Sequence, residues 1–502
     1  MTDSRLTKAK KNIATSLLTQ VVALVCGIIM PRLMIGAFGS EAYGATASIA
    51  QFLGYISLLE GGVGGVARVV LYKPLAKRDM DAISAIMEEV KRFFWIIAWI
   101  FAGYVLILAC GFKTISQIAC MDWISTALLV VIISISTFGQ YFIGISNSIL
   151  IQADQKAYIT NVLSIGVTIL NSAFVIVLVQ LGCNLLIVKL VSSLIFFMRP
   201  VVLSLYVRKR YSLKPLKTKR KTNYLAQKWS GLGQHIAFIL HTNTDVAVLT
   251  VLADLRAVAV YSVYNMVISN LQNFALSFSS GMEAVFGDML ARDEKQALHN
   301  TFRMYETILS VVSLVLFSVA AVLIIPFIRL YTAGVSDADY IQPFFALLLI
   351  LAALSFCLRK PYHSMVIAAG HFKQTSGAAY GEALINIVLS VILVFRFGLI
   401  GVAAATLIAT WFRFIYYVFY LSKHIMGREI KLFLKRLAIN VSTLLGNCMI
   451  GYWIVSRFPL HNYLWWAVCG FLLVIAISVS TLVINVIFFR KDCRALIKRI
   501  IK

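Results

Sequence analysis

Charge is scarce in this chain, and acid scarcer still: of 502 residues 13% are charged, with 21 Asp and Glu against 46 Lys and Arg, while 60% are hydrophobic. So few polar side chains cannot cover the roughly three soluble domains that this length would allow. That excludes a soluble globular protein and leaves a multi-spanning membrane protein. Cysteine supplies no framework either. Eight are scattered along the chain, Cys26, Cys357, Cys448 and Cys469 within apolar runs, and no CxxC or Cys/His spacing marks a metal site. They read as small core residues, and nothing calls for a cofactor. A cleavage site is also lacking: Arg5, Lys8, Lys10 and Lys11 precede an apolar stretch that continues past Pro31, too long for a signal peptide. The expectation is an uncleaved first span.

What is present is apolar length. A helix needs about 20 largely apolar residues to cross roughly 30 Å of hydrocarbon, and about fourteen runs meet that need, near 12–36, 43–69, 93–111, 121–150, 158–181, 184–207, 231–253, 257–286, 303–331, 341–369, 374–395, 399–421, 438–457 and 463–489. With the N-terminus inside, about 34 cations fall in inner loops and tails, about 5 in outer loops and about 7 within spans, the bias the positive-inside rule predicts for both termini cytoplasmic. The net charge of +25 is therefore mostly topology. Its densest stretch, RKRYSLKPLKTKRKTNYLAQKWS over 208–230, has no folded module around it, so a nucleic-acid partner is not expected. Contact with anionic lipid headgroups is.

That basic linker divides two similar halves. QADQKAYITNVLSIGVTILNSAFVIVLVQLG, ending at Gly182, resembles GHFKQTSGAAYGEALINIVLSVILVFRFG, ending at Gly398; Asn171 matches Asn386, and FFMRP at Arg199 matches TWFRF at Arg413. The expected fold is all-α: two parallel six-helix lobes around a central cavity plus two further C-terminal helices. The domains are then 1–207 (spans 1–6), 208–230 (linker), 231–437 (spans 7–12) and 438–502 (two spans and a basic tail).

Three stretches carry a family likeness: PRLMIGAFGSEAYGATASIAQFLGYISLLEGGVGG (Pro31 to Gly65), NTDVAVLTVLADLRAVAVYSVYN (Asn243 to Asn265) and AAGHFKQTSGAAYGEALIN (Ala368 to Asn386). The chain resembles the polysaccharide transport family, the Wzx-type flippases of the multidrug/oligosaccharidyl-lipid/polysaccharide superfamily, over about residues 8–437. The resemblance implies a transporter, not an enzyme, of the bacterial inner membrane. It would move undecaprenyl-diphosphate-linked oligosaccharide units to the periplasmic leaflet for O-antigen lipopolysaccharide or capsule, by alternating access with ion-gradient coupling. It also implies membrane lipids as neighbours, and the polymerase and chain-length regulator of the same pathway as partners.

A cation in a span costs about 2.5–3.5 kcal/mol on insertion scales and so needs a partner or a purpose. Seven are expected there: Arg32, Arg68, Lys189, Arg199, Arg359, Lys360 and Arg413, against Glu60, Asp245, Glu283 and Glu382. The excess of about three positive charges suits a diphosphate, and arginine's planar fork suits it best. Arg199 and Arg413, matched across the repeat, are the first candidates. Arg359 and Lys360 precede Pro361 and point about 100° apart on a helix, so one of the two is expected to face the cavity. Lys189, Arg32 and Arg68 read as ligands or as interfacial anchors. Ion coupling is expected at Asp245, with His241 one turn earlier on the same face, and at Glu60 and Glu382; a structural ion pair of Asp245 with a cation such as Arg359 is the alternative. Gln152, Asn171 and Asn386 stand among the polar side chains able to hydrogen-bond sugars, and Tyr261 among the aromatic ones able to stack on them. A drug/cation antiporter would call for an acidic cavity, and an O-antigen polymerase for a large outer loop, neither of which the sequence provides.

Overall fold

The computed structural model describes residues 5–61, 63–211, 213, 232–279 and 281–490. Of these 89% are helical and none lies in a strand. The helices are α1 (Arg5–Gly54), α2 (Val63–Lys77), α3 (Met80–Ser116), α4 (Trp123–Gly139), α5 (Ile145–Ala153), α6 (Ala157–Gln180), α7 (Leu185–Arg210), α8 (Leu232–Leu252), α9 (Leu255–Ser277), α10 (Met282–Ala291), α11 (Lys295–Tyr331), α12 (Pro343–Ala368), α13 (Phe372–Leu421), α14 (Ile430–Val455) and α15 (Tyr463–Phe488). Short polar residues start several of them by accepting otherwise orphaned backbone N–H groups: Asp79 from Ala82, Asn184 from Ile187 and Asn462 from Trp465, each at 2.9 Å. Most of the linker 208–230 lies outside the described residues.

Among the described residues ten helices are long and apolar enough to cross a membrane, the mark of a multi-pass membrane protein. The expected total of about fourteen spans differs from this for two reasons. Spans one and two, and spans eleven and twelve, run on as the long helices α1 and α13, broken by non-helical backbone at Gly39 and Gly398. Spans seven and eight correspond to α8, several of whose side chains lie outside the described residues, and to α9, whose NLQN segment dilutes its apolar character. Three ends also depart from expectation. Span two is interrupted by a 3-10 turn, Tyr55–Glu60, before α2. Span four carries a π-helical turn, Gln140–Gly144, between α4 and α5. Span eight is split into α9 and α10 by left-handed backbone at Gly281.

The chain forms two compact units: Met1–Ile239 with Asp254–Ala259, and Leu240–Ala253 with Val260–Lys502. The core of the first is a continuous apolar cluster through Ile49, Ile86, Phe94, Phe101, Leu129 and Leu150. The second holds one cluster around Phe302, Tyr362 and Phe414 and another in which Leu323 of α11 packs with Cys469, Leu473 and Ile477 of α15. The same bends recur in both. Positive φ at Gly61, Arg78, Gln117, Gln155 and Gly182 is matched at Gly281, Asp293, Gly334, Gly370 and Gly398, each 215 to 220 residues later.

Candidate functional site

In the second unit α12 and α13 bring two cations onto one acid. Glu382 of α13 accepts from Arg359 Nη1 on one carboxylate oxygen and from Arg413 Nη1 on the other, both at 2.5 Å, and all three side chains are buried. Arg413 also donates to the Tyr417 hydroxyl from Nε at 3.0 Å and Nη2 at 2.8 Å. Charge-assisted bonds of this kind are strong and directional, and in low dielectric the shared carboxylate offsets one of the two positive charges. Lys360, the next residue, turns to a different acid, Glu283 of α10, at 3.0 Å, as the 100° step along a helix requires.

A second polar cluster lies around Asp245 of α8. Tyr261 of α9 donates to Oδ2 at 2.9 Å, and the Thr406 hydroxyl of α13 lies 2.9 Å from both carboxylate oxygens. Asn386 Nδ2 donates to Thr406 at 2.9 Å. All four are buried. Asp245 is thus ringed by hydroxyl groups, while Arg359, the cation expected to pair with it, is bonded to Glu382. The side chain of His241 lies outside the described residues.

The first unit is built differently. Arg199 and Lys189 both stand on α7, partly buried, and neither forms an ion pair with a described residue. Arg68 is exposed on α2 and donates to Gln152 Oε1 of α5 at 2.8 Å. Arg32 is half-buried on α1. Glu60, at the end of the 3-10 turn, accepts from the Tyr141 hydroxyl of the π-helical turn at 2.5 Å. The seven cations and four acids named from the sequence therefore divide unevenly. Four cations against one acid fall in the first unit, and three against three in the second, so among these residues the positive excess falls in the first unit.

One charged cluster escaped the sequence reading. Glu306 of α11 is buried, accepts from the Tyr362 hydroxyl, and pairs with Arg428 at 2.8 Å and Arg436 of α14 at 3.5 Å; Arg436 also donates to Thr307 at 3.0 Å. The available signal was that Glu306 is the one acid in the 37 residues of α11.

A polytopic, all-helical membrane fold with an uneven internal charge is what these features define. No protein-family model matches the sequence, and a comparison with curated proteins finds no match. Among solved structures the chain is similar to the lipid II flippase MurJ in an inward closed conformation, at 17% identity over 96% of this chain and 99% of that one, with a TM-score of 0.69. It is also similar to an inward-facing multidrug resistance MATE family transporter of the MOP superfamily (15% identity, 82% and 98% covered, TM-score 0.58). The MATE multidrug transporter DinF-BH is a third (16% identity, 84% and 98% covered, TM-score 0.56). Likeness at such low identity establishes the fold that the chain shares with them.

Proposed function

We propose that the chain is a flippase that carries undecaprenyl-diphosphate-linked oligosaccharide repeat units from the cytoplasmic to the periplasmic leaflet of a bacterial inner membrane, by alternating access, in the assembly of O-antigen or a related surface polysaccharide. Its fold is shared with a protein named as a lipid II flippase. The observation that carries the choice of substrate is the charge of the first unit, where Arg199 and Lys189 stand in an apolar helix without a described acid beside them. A diphosphate supplies the missing counter-charge and accepts two parallel bonds from an arginine. In this reading Arg199 and Lys189 are the principal ligands, with Arg32 and Arg68 lining the route and Arg413, Arg359 and Lys360 held in their acid pairs. Asp245, with Tyr261, Thr406 and Asn386 around it, is the ion-coupling group; Glu60 and Glu382 set the local charge.

Reconstitution with an undecaprenyl-diphosphate oligosaccharide tests this. Arg199→Ala is expected to slow flipping by about ten- to a hundredfold, the loss of one charge-assisted bond of about 1.5–3 kcal/mol, and Asp245→Asn to remove any response to an imposed proton or sodium gradient. Unchanged flipping in Arg199→Ala sinks the diphosphate assignment. Export of cationic drugs with no lipid flipping would favour the antiporter reading instead.

A further inference from the structure

Helices α3 and α11 are counterparts in the repeat: each has 37 residues and they start 215 residues apart. Their surroundings differ. On α11, Leu323 packs with α15, and Val322 lies so close to α14 that a Cβ at Gly451 would meet its Cγ2 at 2.7 Å. On α3 the equivalent face is open: Trp95 and Trp99 are 46% and 56% exposed, whereas their counterparts Ser310 and Leu314 are 3% and 0% exposed. The basic end follows the same rule. Lys91 of α3 occupies the position of Glu306 of α11, and where α14 brings Arg436 to that glutamate, no described residue forms an ion pair with Lys91.

What lies there instead is a cavity of about 860 Å³ between the N-terminal part of α3, the π-helical turn and the end of α7. Lys91 and Arg92 of α3 and Arg208 of α7 stand at it against the single acid Glu88. All three cations are exposed, and none is ion-paired within the described residues. Trp95 and Phe142 form its apolar wall, their rings 5.7 Å apart, and Trp99 continues that wall along the helix. The volume is at the upper end of ordinary small-ligand sites, about 300–1,000 Å³, and far exceeds that of a free phosphate ion. A π-helical turn in a wall is itself common at binding sites.

We propose that this cavity binds the phosphate headgroup of an anionic bilayer phospholipid, whose acyl chains lie along the Trp95, Trp99 and Phe142 face. The cations supply charge-assisted bonds to the phosphate. The exposed aromatic face supplies the apolar surface that an inorganic anion would not use, and the basic end of the helix places the site at the interface where anionic headgroups sit. The lipid thereby fills, in the first unit, the place that α14 and α15 fill in the second. This proposal is independent of which substrate the protein transports.

The full-length protein, purified in detergent and stripped of lipid, is titrated with bromine-labelled phosphatidylglycerol and phosphatidylcholine while tryptophan fluorescence is read. Phosphatidylglycerol should quench more strongly and at lower concentration than phosphatidylcholine. Lys91→Gln, Arg92→Gln and Arg208→Gln should each lower that preference by about fivefold, the effect of about 1 kcal/mol per cation near an anionic surface. Trp95→Phe with Trp99→Phe should remove the difference in quenching between the two lipids while native mass spectrometry still finds phosphatidylglycerol retained. The three cation substitutions combined should abolish the preference; should that variant fail to fold, the three single variants carry the test. Equal quenching by the two lipids, or an undiminished preference in all three single variants, overturns the proposal. So does full competition by millimolar inorganic phosphate, which would identify a free-anion site, or by the lipid-linked oligosaccharide alone, which would make the cavity part of the substrate route.

Discussion

The first half, through α7, and the second, from α8 to α13, bend at matching residues yet hold charge in different ways. At the positions of Arg359, Glu382 and Arg413 in the second half stand Gly144, Val167 and Arg199 in the first. The arginine common to both is tied to a carboxylate in the second half and to no described carboxylate in the first. Local packing explains the asymmetry. A Cβ at Gly144 would come within 3.0 Å of the Pro200 Cβ, so no side chain as large as arginine fits there, and a buried carboxylate at position 167 would have had one partner instead of two. A duplicated backbone thus preserves where the chain turns while leaving each copy its own electrostatics.

The largest effect should come from undoing the triad. Glu382→Ala leaves two buried guanidinium groups without their carboxylate and is expected to cost about 3–5 kcal/mol, read as a fall in melting temperature in detergent; a shift of a few tenths of a kcal/mol would remove the triad's structural role. The reciprocal change, Val167→Glu, would give Arg199 the partner its counterpart has. It should abolish transport while leaving the fold intact, and retained transport would erase the functional distinction between the two arginines.

A smaller effect is expected where α11 is covered. Gly451→Leu overpacks α14 against Val322 and should cost about 1–3 kcal/mol, seen as earlier thermal unfolding; on the uncovered α3, Ile107→Leu should change stability by less than about 0.5 kcal/mol. Equal sensitivity at the two sites would mean that the faces are not differently packed.

The smallest effect concerns acid. In the α5–α6 turn Asp154 pairs with Lys156 at 2.5 Å and Lys8 at 3.4 Å and accepts from Tyr211 at 2.5 Å. Burial alone would raise its pKa, but the bonds from Lys156 and Tyr211 and the charges of Lys156 and Lys8 outweigh it and hold the carboxyl below the usual aspartate range. A depressed folded value means that the contribution is complete above the unfolded pKa, about 3.9, and is lost as pH falls through the folded one. The stability gap between the wild type and Asp154→Asn should therefore be constant near neutrality and begin to narrow as pH falls below about 4. A gap that stays constant, or widens, as the pH is lowered past that value would contradict it.

Much of this was legible in the chain. Loop positions show as Gly39, Gly182 and Gly398 because only glycine adopts their backbone at little cost, and the match of Arg199 with Arg413 survives as sequence. The partner of each charge was not legible. Arg359 and Arg413 meet at Glu382 only when α12 packs on α13, a contact that hydrophobic periodicity does not encode, since both helices are apolar on most faces. Glu306 was missed because its partners Arg428 and Arg436 lie more than a hundred residues away. The described partners of Asp245 come from α9 and α13, which the sequence of α8 alone does not name. The π-helical turn leaves no trace in composition.

That turn has a consequence for register. Ile145 N–H reaches the carbonyl of Gln140, five residues back, so the turn holds one residue more than an α-helical turn would. Each residue of an α-helix advances the side chain by about 100°. The single added residue therefore sets the rotation of all of α5 about its axis, and with it the side on which Asn147 and Gln152 emerge. Deleting any one residue between 140 and 144 would leave composition and hydrophobic length almost unchanged, yet turn Gln152 away from Arg68: a rotation written into the chain by one residue's worth of length.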